Sequence, residues 1–173
     1  LLTDDNPSVE VTIFEKSRGV GGRMATRYSE KLEFDHGAQF FTIRGSRFRQ
    51  FLSRYKNAFK AWPAATTTLS PDKKEYTRLW FETHYVGTPR MNSLCKKIAE
   101  SLDIRLQQKI TGISGAPKEW FLESEDGRFG PFDWVVSTAP APQTQTIFNK
   151  PELDAPYNAA FALMVPVGDR PEF

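Results

Sequence analysis

The stretch VTIFEKSRGVGGRMATR, residues 11–27, constrains the fold more than any other part of the chain. The run from Val9 to Phe14 reads as a buried strand that ends in Glu15 and passes into a glycine-rich basic loop. An acid at the end of the second strand of a nucleotide-binding βαβ unit accepts hydrogen bonds from ribose hydroxyls. Glycines such as Gly21 and Gly22 let a backbone approach a phosphate and turn its N–H groups toward it. Arg23 adds a charge-assisted donor fork for phosphate oxygens. Taken alone, Glu15 reads as a strand-end acid facing solvent, and the loop as a flexible surface turn. With Glu15 six residues before Gly21, the binding reading gains on both. The loop is not a G-x-G-x-x-G turn, because Met24 stands where the last glycine belongs, and it follows the acid instead of preceding it.

The chain has 173 residues, enough for one ordinary core or for one domain plus part of another. A net charge of +2 is too mild to argue for nucleic acid. The single cysteine, Cys95, excludes an internal disulfide and a multi-thiolate metal site. With His36 and His84 the only histidines, no metal site is expected. No apolar run reaches the roughly 18 residues of a membrane helix, and the reading is a cytoplasmic protein.

Hydrophobic periodicity predicts short β runs at Leu32–Phe34 and Ala38–Ile43. A helix capped by Ser46 would place Phe48, Phe51, Leu52, Tyr55 and Phe59 on one stripe. Residues 61–75 read as loop and Tyr76–Thr83 as a strand. Thr88 and Pro89 look like the N-cap and first position of a helix whose buried stripe is Met91, Leu94, Cys95, Ile98 and Leu102. Ile104, Leu106 and Ile110 alternate as a strand. Trp120–Glu123 and Phe132–Thr138 give two more with an Asp126–Gly127 turn between them. Gln143–Asn149 suggests a short helix, and Ala159–Val167 a final strand. The order is α/β with an α+β insertion around 40–85.

Two further stretches bear on a site. In FDHGAQFF, residues 34–41, a Gly–Ala pair inside an aromatic run leaves room for something flat against the backbone; the same stretch also reads as a plain β-turn. Asp35 and His36 are neighbours on an extended chain and point to opposite faces, so they make no acid–base dyad. In VVSTAPAPQ, residues 135–143, a buried strand emerges into small residues and prolines, as at a ligand crevice. From Arg44 to Lys60 there are six cations and no acid. On a helical wheel Arg47 and Arg54 flank the aromatic stripe on one side, Arg49 and Lys56 on the other. They read first as long side chains lying along the edge of a buried face, and second as attraction for a dinucleotide's phosphates. Nucleic acid is not expected, because the aromatics sit at core spacing.

In this order, VTIFEKSRGVGGRMATR, FDHGAQFF, YVGTPRMNSLCKKIA and FDWVVSTAPAPQ resemble the flavin-containing amine oxidase superfamily, and within it the renalase-like bacterial proteins. The resemblance implies an FAD-binding Rossmann-like domain of the amine-oxidase/glutathione-reductase type at 1–40 and 86–150, and part of a substrate domain at 41–85 and 151–173. It implies that Glu15 binds the adenosine ribose and that Gly21, Gly22 and Arg23 lie along the pyrophosphate. Gly37, Ala38, Gln39 and Phe40 would line the isoalloxazine. Ile110 would meet the adenine through its backbone, and Thr138, Ala139 and Pro140 would border the crevice. The implied chemistry is hydride transfer from a substrate C–H to flavin N5 with dioxygen as acceptor. The implied substrate is an off-isomer dihydronicotinamide dinucleotide, or an amine or polyamine in the wider superfamily. No catalytic side chain is expected, and no cysteine lies in a flavin-facing motif, so the FAD would be non-covalent. Fourteen residues precede Glu15 and none is glycine. The expectation is therefore an internal piece of a longer protein, without the family's first strand and its G-x-G-x-x-G turn. The competing reading is a flavoenzyme-derived binding module that no longer catalyses.

Overall fold

The structure is a computed structural model that describes residues 6–63, 67–69, 72, 75–77, 82–151 and 164. The chain divides into two compact units, the first comprising residues 1–10, 20–101 and 162–173, the second residues 11–19 and 102–161. Both mix strands with short helices, in keeping with a mixed α/β class.

The second unit contains β1 (Thr12–Glu15), paired in parallel with β9 (Asp103–Leu106), Thr12 opposite Asp103 and Glu15 opposite Leu106. The Thr12 hydroxyl donates to the Asp103 carboxylate at 2.8 Å across this pair. β10 (Ile110–Ala116), β11 (Glu119–Ser124) and β12 (Gly127–Phe132) form an antiparallel meander. Leu122 is its buried residue. Phe14 of β1 packs on Phe129 and Phe132 of β12, ring centroids 4.9 and 6.0 Å apart.

The sequence reading differs here in two places. The alternation of Ile104, Leu106 and Ile110 is split between β9 and β10, because Gln107 turns the chain at φ 58°. The Asp126–Gly127 turn is where expected, with Gly127 at φ 135°, but the strand after it ends at Phe132. Residues 134–138 find no ladder partner among the described residues, and Trp134 is 86% and Val136 80% exposed. Apolar, β-branched sequence becomes a strand only when a neighbour receives its backbone hydrogen bonds. The short helix expected near 143–149 is present as Ala141–Phe148, and Asn149 closes it in the left-handed region at φ 49°.

Among the described residues the first unit holds two antiparallel hairpins and a three-stranded sheet. β2 (Thr26–Ser29) pairs with β3 (Leu32–Asp35), and β6 (Thr67–Leu69) with β7 (Glu75–Thr77). In the sheet, β8 (His84–Gly87) lies between β4 (Phe41–Thr42) and β5 (Phe59–Ala61). The core gathers around Leu52, Ala58 and Leu94, with Met24, Phe41, Tyr55, Phe59 and Ile98 packed against it.

The helix expected through Phe59 is shorter. α1 spans Ser46–Leu52, and a 3-10 segment follows over Ser53–Ala58, interrupted at Tyr55 (φ −120°, ψ 24°). Ser53 Oγ bonds back to the Gln50 carbonyl at 2.7 Å, a contact that bends helices. Gly45, not Ser46, is the N-cap, and Phe48 is 42% exposed, off the buried stripe. α2 begins at Ser93, four residues later than the Thr88–Pro89 signal suggests, and runs to Ala99. The backbone N–H of Arg90 bonds Ser93 Oγ and that of Met91 bonds Asp35, so those donors are spent on a turn. The buried stripe Met91, Leu94 and Ile98 survives the shift. The loop reading of 61–75 gives way to the hairpin β6–β7; residues 78–81 and most of the strand expected at 159–167 lie outside the described residues.

Candidate functional site

The glycine loop sits in the first unit. Gly21 (φ 130°) and Gly22 (φ 50°) hold backbone conformations that L side chains rarely adopt, and a short 3-10 turn, Gly22–Met24, follows. Nothing lies within 4 Å of where a Cβ would stand on Gly22, so that face of the loop is open. The Arg23 side chain is exposed and has no ion pair among the described residues.

FDHGAQ backs this loop. A Cβ on Gly37 would collide with the Arg23 carbonyl, and the Ala38 N–H donates to the same oxygen at 2.7 Å. The glycine at 37 thus serves close approach of two backbones. Gln39 is exposed, while Phe40 stacks on the buried His84, centroids 3.9 Å apart. The two stretches that sequence reasoning assigned to one site therefore share a backbone junction.

Two residues that sequence reasoning passed over hold that junction. Asp35 accepts from the Thr26 hydroxyl at 2.6 Å and from the Met91 N–H at 3.1 Å, which ties the β2–β3 hairpin to the approach to α2. Asn92 is only 4% exposed, its Oδ1 has no partner among the described residues, and its Cβ lies 3.5 Å from where a Cβ would stand on Gly21. Beside Asn92, Tyr28 OH receives hydrogen bonds from the Asn92 amide (3.4 Å) and the Lys96 ammonium (3.1 Å). These two donors lower the Tyr28 pKa. Arg90 makes a two-point ion pair with Glu33 and lies over the Tyr28 ring, 5.6 Å from its centroid. Cys95, half-buried with Sγ 3.8 Å from Met24 Sδ, has its pKa raised by burial.

Glu15, Ile110, Thr138, Ala139 and Pro140 belong to the second unit. Glu15 closes β1; its Oε1 accepts from the Ser17 N–H at 2.8 Å, and no described donor occupies Oε2. Its carbonyl accepts from the Gln108 N–H at 3.0 Å, and Ser17 O from the Gln107 N–H at 3.1 Å. These bonds bring the end of β1 beside the residues that lead to Ile110, which opens β10 at a bulge. Thr138, Ala139 and Pro140 are all exposed, and they lead into α3 (Ala141–Phe148), whose Thr144 hydroxyl bonds the Ala139 carbonyl at 3.0 Å.

A family model described as an NAD(P)-binding Rossmann-like domain matches residues 1–55. Such segments belong to dinucleotide-binding folds, and the match implies a dinucleotide cofactor, FAD or NAD(P), of the kind used by oxidoreductases. Among the described residues no group of three or more His, Cys, Asp or Glu side chains could hold a metal, and no helix is long and apolar enough to cross a membrane.

Proposed function

We propose that the chain belongs to an FAD-dependent oxidoreductase of the renalase-like kind, which oxidises a small substrate such as an off-isomer dihydronicotinamide dinucleotide and passes the electrons to dioxygen. The observation that carries this reading is the Arg23 carbonyl, clasped by Gly37 and Ala38, which fixes a glycine loop with an open face and a guanidinium that pairs with no acid among the described residues. That is the donor chemistry a pyrophosphate needs. Residues 1–40 and 86–150 form its FAD-binding part, and 41–85 with 151–173 part of its substrate domain.

On this reading the residues divide the work. Gly21 and Gly22 admit the pyrophosphate to the backbone, and Arg23 neutralises it. Glu15 keeps one oxygen for Ser17 and offers the other to a ribose hydroxyl. The Ile110 backbone meets the adenine, Gly37 to Phe40 line the ring system, and Thr138, Ala139 and Pro140 border the crevice and help exclude water. Bound FAD would supply hydride acceptance at N5 from the substrate C–H and reoxidation by dioxygen to hydrogen peroxide. The protein's own share is positioning and desolvation.

The test is to purify the protein as its gene encodes it and record its visible spectrum. A flavin spectrum released by denaturation, bleached by a dihydronicotinamide without air and restored by air with peroxide formed, is the expected result. A folded, colourless protein that ignores added FAD, or one that binds NAD(P) instead, would sink the proposal.

A further inference from the structure

A cavity in the first unit shares no residue with the glycine loop. Its volume is about 700 Å³, and it opens beside α1 and the 3-10 segment. Leu52 and Ile43 form its apolar base, and Phe59 and Tyr85 its aromatic wall. That wall is already built: Phe41, Phe59 and Tyr85 pack on one another with centroids 5.7 to 5.8 Å apart. Arg49 and Lys56, seven residues apart, both reach the same cavity. Both are exposed, and among the described residues neither pairs with an acid. Their segment, Arg44 to Lys60, holds six cations and no acid. Phe48 on α1 is 42% exposed.

We infer that this cavity binds a small aromatic carboxylate, its ring on the Phe59–Tyr85 wall and its carboxylate between Arg49 and Lys56. The recess is open to solvent, and apolar surface with a few convergent polar groups is what a small-molecule site presents. Two unpaired cations at the rim of an apolar recess select an anion and reject its neutral isostere, because a guanidinium–carboxylate pair forms charge-assisted hydrogen bonds that an amide cannot match. This inference does not depend on the dinucleotide reading, so either can fail without the other.

The probe is naphthalene-2-carboxylate, titrated into the full protein and followed by backbone amide NMR, with naphthalene-2-carboxamide as the neutral comparison. Saturable shifts confined to residues lining the cavity are expected, with the amide weaker by about tenfold or more. Arg49→Gln with Lys56→Gln should weaken the carboxylate by a similar factor and leave the amide unchanged; circular dichroism confirms the fold. Equal binding of the two probes, shifts that do not saturate, shifts elsewhere, or tighter binding of an acidic peptide than of the carboxylate would each overturn the inference. The probe comparison uses the unmodified protein and stands even where the double variant misfolds.

Discussion

The junction behind the glycine loop and the parallel pair β1–β9 handle the same task, holding a loop after a strand, in opposite ways. At the junction, polar groups from three stretches of chain are matched: Asp35 with Thr26 and Met91, Arg90 with Glu33, and the Arg23 carbonyl with Ala38. Beneath it, Leu52, Ala58 and Leu94 exclude water. The parallel pair has two strands of four residues, and Ile13 and Leu106 on it are 36% and 40% exposed. Parallel strands are ordinarily covered on both faces and flanked by further strands. The comparison teaches that a loop can be fixed by its own side chains, whereas a parallel ladder takes its stability from what covers it.

The most severe way to break the comparison is to empty the core of the first unit. Leu52→Ala removes its most buried side chain, 1% exposed, and is expected to cost about 2–5 kcal/mol in urea unfolding. Hydrogen exchange should rise first at the backbone amides of α1, α2 and β8. Next comes Gly37→Ala, which forces apart the Arg23 and Gly37 backbones and should cost about 1–3 kcal/mol. If the proposed function holds, it also weakens FAD retention, read by released flavin fluorescence. In the second unit, Trp134→Ser should change stability by no more than about 0.5 kcal/mol, since the side chain is 86% exposed. A larger loss would show that Trp134 is covered in solution and would narrow the contrast between the units.

The smallest effect is electrostatic. The Asn92 and Lys96 donors lower the Tyr28 pKa from the ordinary 10.0, so tyrosine absorbance should show one early titration that Tyr28→Phe abolishes. The sign follows from linkage: a group with a depressed folded pKa adds stability above its unfolded value and loses it as pH falls through the folded one. The deficit of the variant relative to the parent should therefore widen in alkali. Identical titration curves for the two proteins would remove the Asn92–Tyr28–Lys96 contact from the description.

Much of the local structure was legible in the residues. The stripe of Met91, Leu94 and Ile98, the Asp126–Gly127 turn and the helix near residue 145 follow from periodicity and turn chemistry, which act over a few residues. What was not legible depended on distant partners. Thr88–Pro89 carries a helix-start pattern, yet the helix waits until Ser93 because Asp35 takes the Met91 N–H. Val135 and Val136 read as strand and are not one, because no described neighbour receives them. For the site, the glycine loop and FDHGAQ stood out by composition. That the Arg23 carbonyl joins them, and that Asn92 lies beside Gly21, is set by residues far apart in sequence and invisible to spacing.

The pairing of Thr12 with Asp103 joins residues 91 positions apart. During synthesis at about 5–20 residues per second, β1 leaves the ribosome on the order of 5 to 20 s before its partner exists. Through that interval the edge of Thr12–Glu15 that β9 will take is bare, open to a chaperone or to another copy of itself. The yield of this protein should therefore respond to translation speed and chaperone supply more than its equilibrium stability would suggest.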